Sequence, residues 1–136
     1  MQLVLDTCAL VALVEGESMR APALAALEAA QDAQALFVPS FAALEIAQKM
    51  AVGKLVLGRA DARTWFAQAV TGLGLTEVEM SSRIALAAYE LPEPFHRDPA
   101  DRVVVATAGL LHAPVVTVDR RILDYGRRGH VATLAY

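Results

Sequence analysis

With 136 residues and a formal net charge of -3, the chain is long enough for one hydrophobic core and too short for two, so we expect a single domain over residues 1–136. Its one cysteine, Cys8, excludes an internal disulfide, and Asp6 interrupts the first apolar run, which argues against a secretory signal. The longest apolar stretch, residues 103–118, is shorter than a membrane span of about 20 residues. We therefore expect a cytoplasmic protein that does not cross a membrane.

Turn residues and apolar periodicity divide the chain into alternating strands and helices. In chain order we predict strand 2–5, helix 7–15, helix 20–31, strand 35–38, helix 41–51 capped by Ser40, helix 60–70, strand 75–78, helix 81–89, a loop over 91–97, helix 98–112, strand 115–118, a short helix to 125 and strand 131–134. This alternation indicates an α/β fold with a mostly parallel central sheet flanked by helices on both faces.

Two aspartates directly follow predicted strands. Asp6 ends the first strand and Asp119 ends the fourth. In an open α/β sheet, ligands bind outside the carboxyl ends of the strands, so we expect both side chains at that edge. Each aspartate would also serve as a cap for the helix that follows it, and this reading stays open.

A second pair of aspartates, Asp98 and Asp101, opens the helix predicted over residues 98–112. An acid at the cap and another three residues later both complement the helix dipole, so capping alone would explain the pair. The residues after Asp101 are nearly all apolar, however, which indicates a buried helix. Its start is then expected to face the same edge as the strand ends.

Glu45 lies in the middle of a predicted helix, where capping does not explain an acid. An ion pair with Lys49, four residues later, is the competing explanation. Taken together, the five acids would repel one another by about 4 kcal/mol per close pair at an effective dielectric of 20, unless a divalent cation lies among them. Carboxylate oxygens suit Mg²⁺ or Mn²⁺, and the sequence has no Cys/His spacing typical of zinc.

The last forty residues are relatively basic, with six arginines against four aspartates. Arginine forks match phosphate oxygens, although scattered arginines are also common on solvated surfaces. Neither the histidines nor Cys8 have a spaced partner for nucleophilic chemistry, so we interpret His96, His112, His130 and Cys8 as structural. The candidate phosphate contacts are Arg97, Arg102, Arg120 and Arg121.

The order of these motifs resembles the PIN-domain ribonucleases, specifically the VapC-type toxins of toxin–antitoxin pairs. The resemblance rests on the strings VLDTCAL (residues 4–10), ALE (43–45), HRDPADR (96–102), ATA (106–108) and VTVD (116–119). It implies that Asp6, Glu45, Asp101 and Asp119 form the catalytic metal site. By the same resemblance Asp98 is an additional acid, and Thr7 and Thr117 assist the ligands. One departure is Cys8, where the family usually has serine.

The resemblance further implies hydrolysis of RNA phosphodiester bonds with Mg²⁺ or Mn²⁺, giving 5′-phosphate products. It also implies two partners besides RNA, a VapB-type antitoxin and a second copy of the chain. Three alternatives remain: a receiver-type phosphoacceptor domain, a PIN nuclease of RNA maturation or of DNA structures, and a metal-free interaction module. The receiver reading is disfavoured because the only lysines, Lys49 and Lys54, lie in the first half of the chain.

Overall fold

The computed structural model describes all residues, 1–136, and its core is a five-stranded sheet. All neighbouring strands are parallel, in the order β3-β2-β1-β4-β5. The sheet predicted to be mostly parallel is therefore entirely so. The strands are β1 (Leu3–Leu5), β2 (Leu36–Pro39), β3 (Thr76–Val78), β4 (Val115–Val116) and β5 (Thr133–Leu134).

Seven helices connect or flank the strands, as the sequence predicts. No helix combines the length and apolar character needed to cross a membrane. The helices are α1 (Thr7–Val14), α2 (Ala21–Asp32), α3 (Phe41–Ala51), α4 (Ala62–Leu73), α5 (Ser82–Ala87), α6 (Pro99–Leu111) and α7 (Arg120–Arg127).

Both faces of the sheet are covered, because successive side chains of a strand point to opposite sides. Leu3 and Leu5 belong to the larger apolar cluster, which the helices α1 to α4 share, whereas Val4 packs with residues of α6 and α7. The neighbouring strand follows the same alternation: Val115 pairs with Val4 and Val116 pairs with Leu5. The near-continuous apolar runs of the strands are therefore explained by burial on both faces.

The position of β1 determines where the chain reverses direction across the sheet. From β1 the chain builds outward to β2 and β3, and it then returns to place β4 on the other side of β1. Such a reversal leaves a crevice outside the carboxyl ends of the two central strands. Asp6 follows β1 and Asp119 lies three residues beyond β4, so both occupy this crevice.

Several boundaries differ from the prediction, and one predicted cap is wrong. Ser40 precedes α3 but makes no capping hydrogen bond, since its backbone is already helical and its hydroxyl accepts from the amide of Met80. The actual cap of α4 is Asp61, which accepts from the amide of Thr64 at 2.7 Å. Strand β4 ends at Val116, two residues early, although the amide of Thr117 still donates to the carbonyl of Leu134.

Arg102 is buried, so its prediction as a phosphate contact is wrong. Its guanidinium, on a residue only 2% exposed, donates to the carbonyls of Ala88, Phe95 and His96 and to the carboxylate of Glu93, at 2.7 to 3.1 Å. These bonds attach the loop of residues 91–97, which we call the proline loop, to the first turn of α6. The planar fork of arginine suits this multiple recognition.

We expect Arg102→Met to lower the free energy of unfolding by about 2 to 4 kcal/mol, since two buried carbonyls and one partly buried carbonyl would lose their donor. Urea unfolding of purified protein measures the change. Arg120→Met is the matched control, because Arg120 is exposed, and it should stay within about 0.5 kcal/mol of wild type. Equal urea midpoints for Arg102→Met and wild type would contradict this assignment.

Candidate functional site

A cavity of about 280 Å³ opens at the carboxyl edge of the sheet, and all five predicted acids line it. We call it the acidic cavity. One basic side chain from α3, Lys49, and one from α7, Arg121, also line its wall. The convergence predicted from the sequence therefore holds in the structure. The acids come from four elements and their flanks: Asp6 after β1, Glu45 in α3, Asp98 and Asp101 at the start of α6, and Asp119 before α7.

Asp6 is the most buried of the acids, with only 8% of its surface exposed. Its Oδ1 accepts a hydrogen bond from the amide of Ala9 at 2.7 Å, so Asp6 also caps α1, as the alternative reading proposed. Burial raises the pKa of Asp6 from 3.8 to about 6, and hydrogen bonds from Thr117 and Ala9 only partly oppose this. The negative charges of Asp119 and Glu45 contribute to the same rise. Capping and membership of the cavity are therefore compatible.

The ionised form of Asp101 is disfavoured by the same two effects, burial and nearby negative charge. Burial raises its pKa to about 7, and the carboxylates of Asp119, Asp98 and Glu45 add to the rise. Its neighbour Asp98 is exposed and caps α6 by accepting from the amide of Ala100 at 2.9 Å. The cavity thus holds five carboxyl groups against two basic side chains, Lys49 and Arg121, so its acids are only partly balanced by positive charge.

The side chain of Glu45 makes two polar contacts, one with Thr7 and one with Lys49. Its Oε1 accepts a hydrogen bond from the hydroxyl of Thr7, while its Oε2 lies 3.8 Å from the ammonium of Lys49. The predicted pair with Lys49 is therefore present, but it is long and partly exposed, so it contributes little stability. The bond from Thr7 orients the carboxylate within the acidic cavity.

Asp119 is held by its own helix. Its Oδ1 accepts from the amides of Arg121 and Ile122 at 2.8 and 3.3 Å, which caps α7 and leaves the other oxygen without a backbone partner. The hydroxyl of the buried Thr117 accepts from the amide of Asp119 at 3.0 Å. Thr117 therefore fixes the backbone that carries Asp119 and also lowers the pKa of Asp6.

The predicted phosphate contacts divide into three groups. Arg121 lines the acidic cavity, Arg97 and Arg120 are exposed but lie outside its lining, and Arg102 is buried in the fold. Arg121 is therefore the best placed of the four to meet a phosphate at the cavity. Arg128, a further arginine of the tail, bonds the carbonyl of Pro94 instead.

His96, interpreted from the sequence as structural, lies against the acidic cluster. Its Nε2 is 2.9 Å from Oδ2 of Asp101, and ligand atoms of His96, Asp101 and Asp119 lie within 4.8 Å of one another. Burial and the charge of Arg121 lower the pKa of His96, and the negative charges of Asp119 and Asp98 partly oppose this. The sequence contains no periodic signal for this placement, because His96 lies on the proline loop.

The donor set suits a divalent cation. Carboxylate oxygens are typical ligands for Mg²⁺ or Mn²⁺. Several carboxylates line the acidic cavity, and two of them, Asp6 and Asp101, have raised pKa values. The positive charge of a cation would favour the ionised carboxylates against both their burial and their mutual repulsion. Asp6, Glu45, Asp101 and Asp119 are the residues placed to hold it, with Asp98 at the exposed margin.

No curated protein sequence matches the chain significantly. Among solved structures, VapBC2 from Rickettsia felis bound to a promoter DNA fragment matches with a TM-score of 0.69 and 15% identity, over 100% of this chain and 99% of that one. A toxin-antitoxin complex from Klebsiella pneumoniae matches with a TM-score of 0.58 and 21% identity, over 89% and 90%. FitAcB from Neisseria gonorrhoeae matches with a TM-score of 0.60 and 14% identity, over 98% and 96%. At these identities the likeness concerns the fold.

The PIN domain model matches residues 3–128, nearly the whole sequence. This range includes both central strands and every acid of the acidic cavity, so the match and the geometry concern the same part of the molecule. The family expected from the motifs is thereby confirmed: the chain belongs to the PIN domain family.

Proposed function

We propose that this protein is a Mg²⁺- or Mn²⁺-dependent endoribonuclease that acts as the VapC-type toxin of a toxin–antitoxin pair. The observation that carries the proposal is the convergence of five carboxylates on one cavity at the chain reversal of the sheet. The raised pKa values of Asp6 and Asp101 support it, because strongly perturbed acids in a cleft are typical of functional sites.

The proposed reaction is hydrolysis of an RNA phosphodiester. A water oxygen bonds to phosphorus, the bond from phosphorus to the 3′ oxygen breaks, and that oxygen takes up a proton. The products carry a 5′-phosphate and a 3′-hydroxyl group. A bound divalent cation would activate the water and neutralise charge on the phosphoryl group.

The protein contributes positioned side chains on rigid elements. Thr7 holds the carboxylate of Glu45 in one orientation, and the backbone amides that cap Asp6 and Asp119 fix those two carboxylates. Arg121 provides a positive charge at the wall of the cavity, where it would bind a phosphate next to the one that is cut. Without cations an acidic cavity repels a polyanion, so RNA binding is expected to depend on divalent ions.

The proposed partners are a VapB-type antitoxin and a second copy of the chain, in the cytoplasm. One of the similar solved structures is named as a toxin-antitoxin complex, which supports an antitoxin as a partner. Large apolar side chains that remain exposed support a protein interface. Examples are Leu44, Val52, Val56 and Leu86, each more than half exposed.

Asp6→Asn should abolish RNA cleavage, with a loss of at least about 100-fold in rate, because it removes a ligand charge while keeping the cap to Ala9. The measurement is cleavage of labelled single-stranded and structured RNA in Mn²⁺, followed on gels and by mapping of 5′ ends. Glu28→Gln, an exposed acid on α2, is the control and should cut like wild type. RNA that stays intact with wild-type protein would favour a non-catalytic module, and cutting by Asp6→Asn would indicate another site.

Without divalent ions, the contributions of Asp6 and Asp101 to stability should fall as pH rises from about 4 to about 7. The folded-state pKa values of Asp6 and Asp101 lie above 3.8, at about 6 and about 7, so folding binds protons in this range. Asp6→Asn should reduce the fall by at most about 3 kcal/mol. Saturating Mn²⁺ should stabilise wild type at pH 7.5 and stabilise the variant less. Urea unfolding at each pH tests this; identical pH profiles for the two proteins would contradict it.

Expression in a bacterial host should arrest growth, whereas expression of Asp6→Asn should not. Co-expression of a VapB-type antitoxin that binds this chain should restore growth, because an antitoxin blocks its toxin. Colony counts after induction measure the effect. Normal growth with a protein that cuts RNA in the test tube would instead favour a PIN nuclease of RNA maturation.

A further inference from the structure

We propose that His96 adds a nitrogen ligand to the metal centre on the side of Asp101 and Asp119, which gives a mixed nitrogen and oxygen site that prefers Mn²⁺ to Mg²⁺. This inference rests on the proposed metal-dependent function and specifies its metal. It assigns to His96 a role that neither its sequence context nor its isolated position on a loop indicates.

The first support is the position of the imidazole nitrogen. Nε2 of His96 is buried and forms no hydrogen bond, although Oδ2 of Asp101 is only 2.9 Å away. The contact is as short as an ion pair but lacks hydrogen-bond alignment, so it satisfies Nε2 only in part. A buried polar atom that is only partly satisfied is costly, and a shared cation would satisfy both atoms.

The second support is distance. Two adjacent ligands of an octahedral ion, each about 2.1 Å from it, lie about 3.0 Å apart. The 2.9 Å between Nε2 and Oδ2 of Asp101 agrees with this value. Asp119 contributes a third atom, and the three atoms lie within 4.8 Å of one another. Two ligands on opposite sides of such an ion lie about 4.2 Å apart, so the three atoms need to close by about 0.6 Å at most to share it.

The fold holds His96 firmly in this place. The Nε of the buried Arg102 donates to the carbonyl of His96 at 2.8 Å, and the ring of Phe95 packs edge-on against the imidazole with centroids 4.6 Å apart. Arg102 directly follows Asp101 in α6, so the same helical turn carries the acid and fixes the histidine. A ligand attached in this way needs little reorganisation to bind a metal.

Arg121 competes with the metal for the imidazole. Its Nη1 lies 3.4 Å from Nδ1 of His96, an orientation that favours a proton on Nε2. Metal binding through Nε2 requires the proton on Nδ1 instead, so the exposed side chain of Arg121 must turn away from the ring. Once released, its guanidinium is free to meet a phosphate at the acidic cavity.

An imidazole ligand changes the metal preference of an otherwise carboxylate site. Nitrogen ligands favour transition metals, whereas Mg²⁺ is held by oxygen atoms and keeps several waters. His96 is therefore expected to strengthen Mn²⁺ binding much more than Mg²⁺ binding. The ratio of Mn²⁺ affinity to Mg²⁺ affinity is therefore the property expected to depend on His96.

The test measures metal binding by the whole protein without RNA. Electron spin-echo spectroscopy of the Mn²⁺ complex should show coupling to a directly bound ¹⁴N nucleus in wild type, and the coupling should be absent in His96→Gln. By titration calorimetry, His96→Gln should weaken Mn²⁺ binding at least about tenfold and Mg²⁺ binding less than about threefold. His130→Gln, an exposed histidine, is the control and should behave like wild type. Retained Mg²⁺ binding also shows that the variant is folded.

Arg121→Met provides an independent check, because it removes the competitor for the ring. It should tighten Mn²⁺ binding more than Arg120→Met, which removes the neighbouring exposed charge but no contact with His96. Equal effects of the two variants on Mn²⁺ affinity would contradict a competition between Arg121 and the metal for His96.

Failure of this inference and failure of the proposed function would give different results. Mn²⁺ that binds without nitrogen coupling, or equal losses of Mn²⁺ and Mg²⁺ affinity in His96→Gln, would overturn the inference and leave the proposed function standing. Nitrogen coupling in a protein that leaves all RNA intact would support the inference and contradict the proposed function. Wild type that binds no Mn²⁺ at all would contradict both.

Discussion

The central position of β1 is the constraint on which the acidic cavity depends. Because β2 pairs on one side of β1 and β4 on the other, the chain reverses across this strand and the carboxyl ends of β1 and β4 are adjacent. Asp6 and Asp119 follow those ends. Helix α6 packs on β1, β2 and β4, which brings Asp101 at its start to the same crevice. Parallel pairing thus places acids from distant parts of the sequence together.

The cavity works against folding at neutral pH. The buried carboxylates of Asp6 and Asp101 lose hydration and repel their neighbours, which is why their pKa values rise. Burial of the apolar clusters on the two faces of the sheet offsets this cost. These clusters are formed by other residues of the same strands and helices. Stability is therefore given up at the edge where the chemistry is proposed, as is common for active sites. A cation would recover part of it.

The seven residues 96–102 show how one short segment serves several purposes. Asp98 caps α6, Asp101 faces the acidic cavity, and Arg102 points the other way to hold the proline loop. Successive residues of a helix point in different directions, so adjacent charged residues meet different surroundings. Arg102 and Asp101 look alike in the sequence as charges before an apolar helix, yet one is structural and the other lines the site. The bonds of Arg102 also place His96 beside Asp101.

The sequence by itself determined the α/β class, the order of the twelve elements and the four regions that supply the acids, because apolar periodicity and local turn signals depend on neighbouring residues alone. Its motifs also led to the correct family. Only the tertiary structure decided that Arg102 is buried, that Ser40 bonds Met80 instead of capping α3, and that His96 meets Asp101. Each of these depends on contacts between a loop or strand end and a separate element, and local pattern contains no information about such contacts.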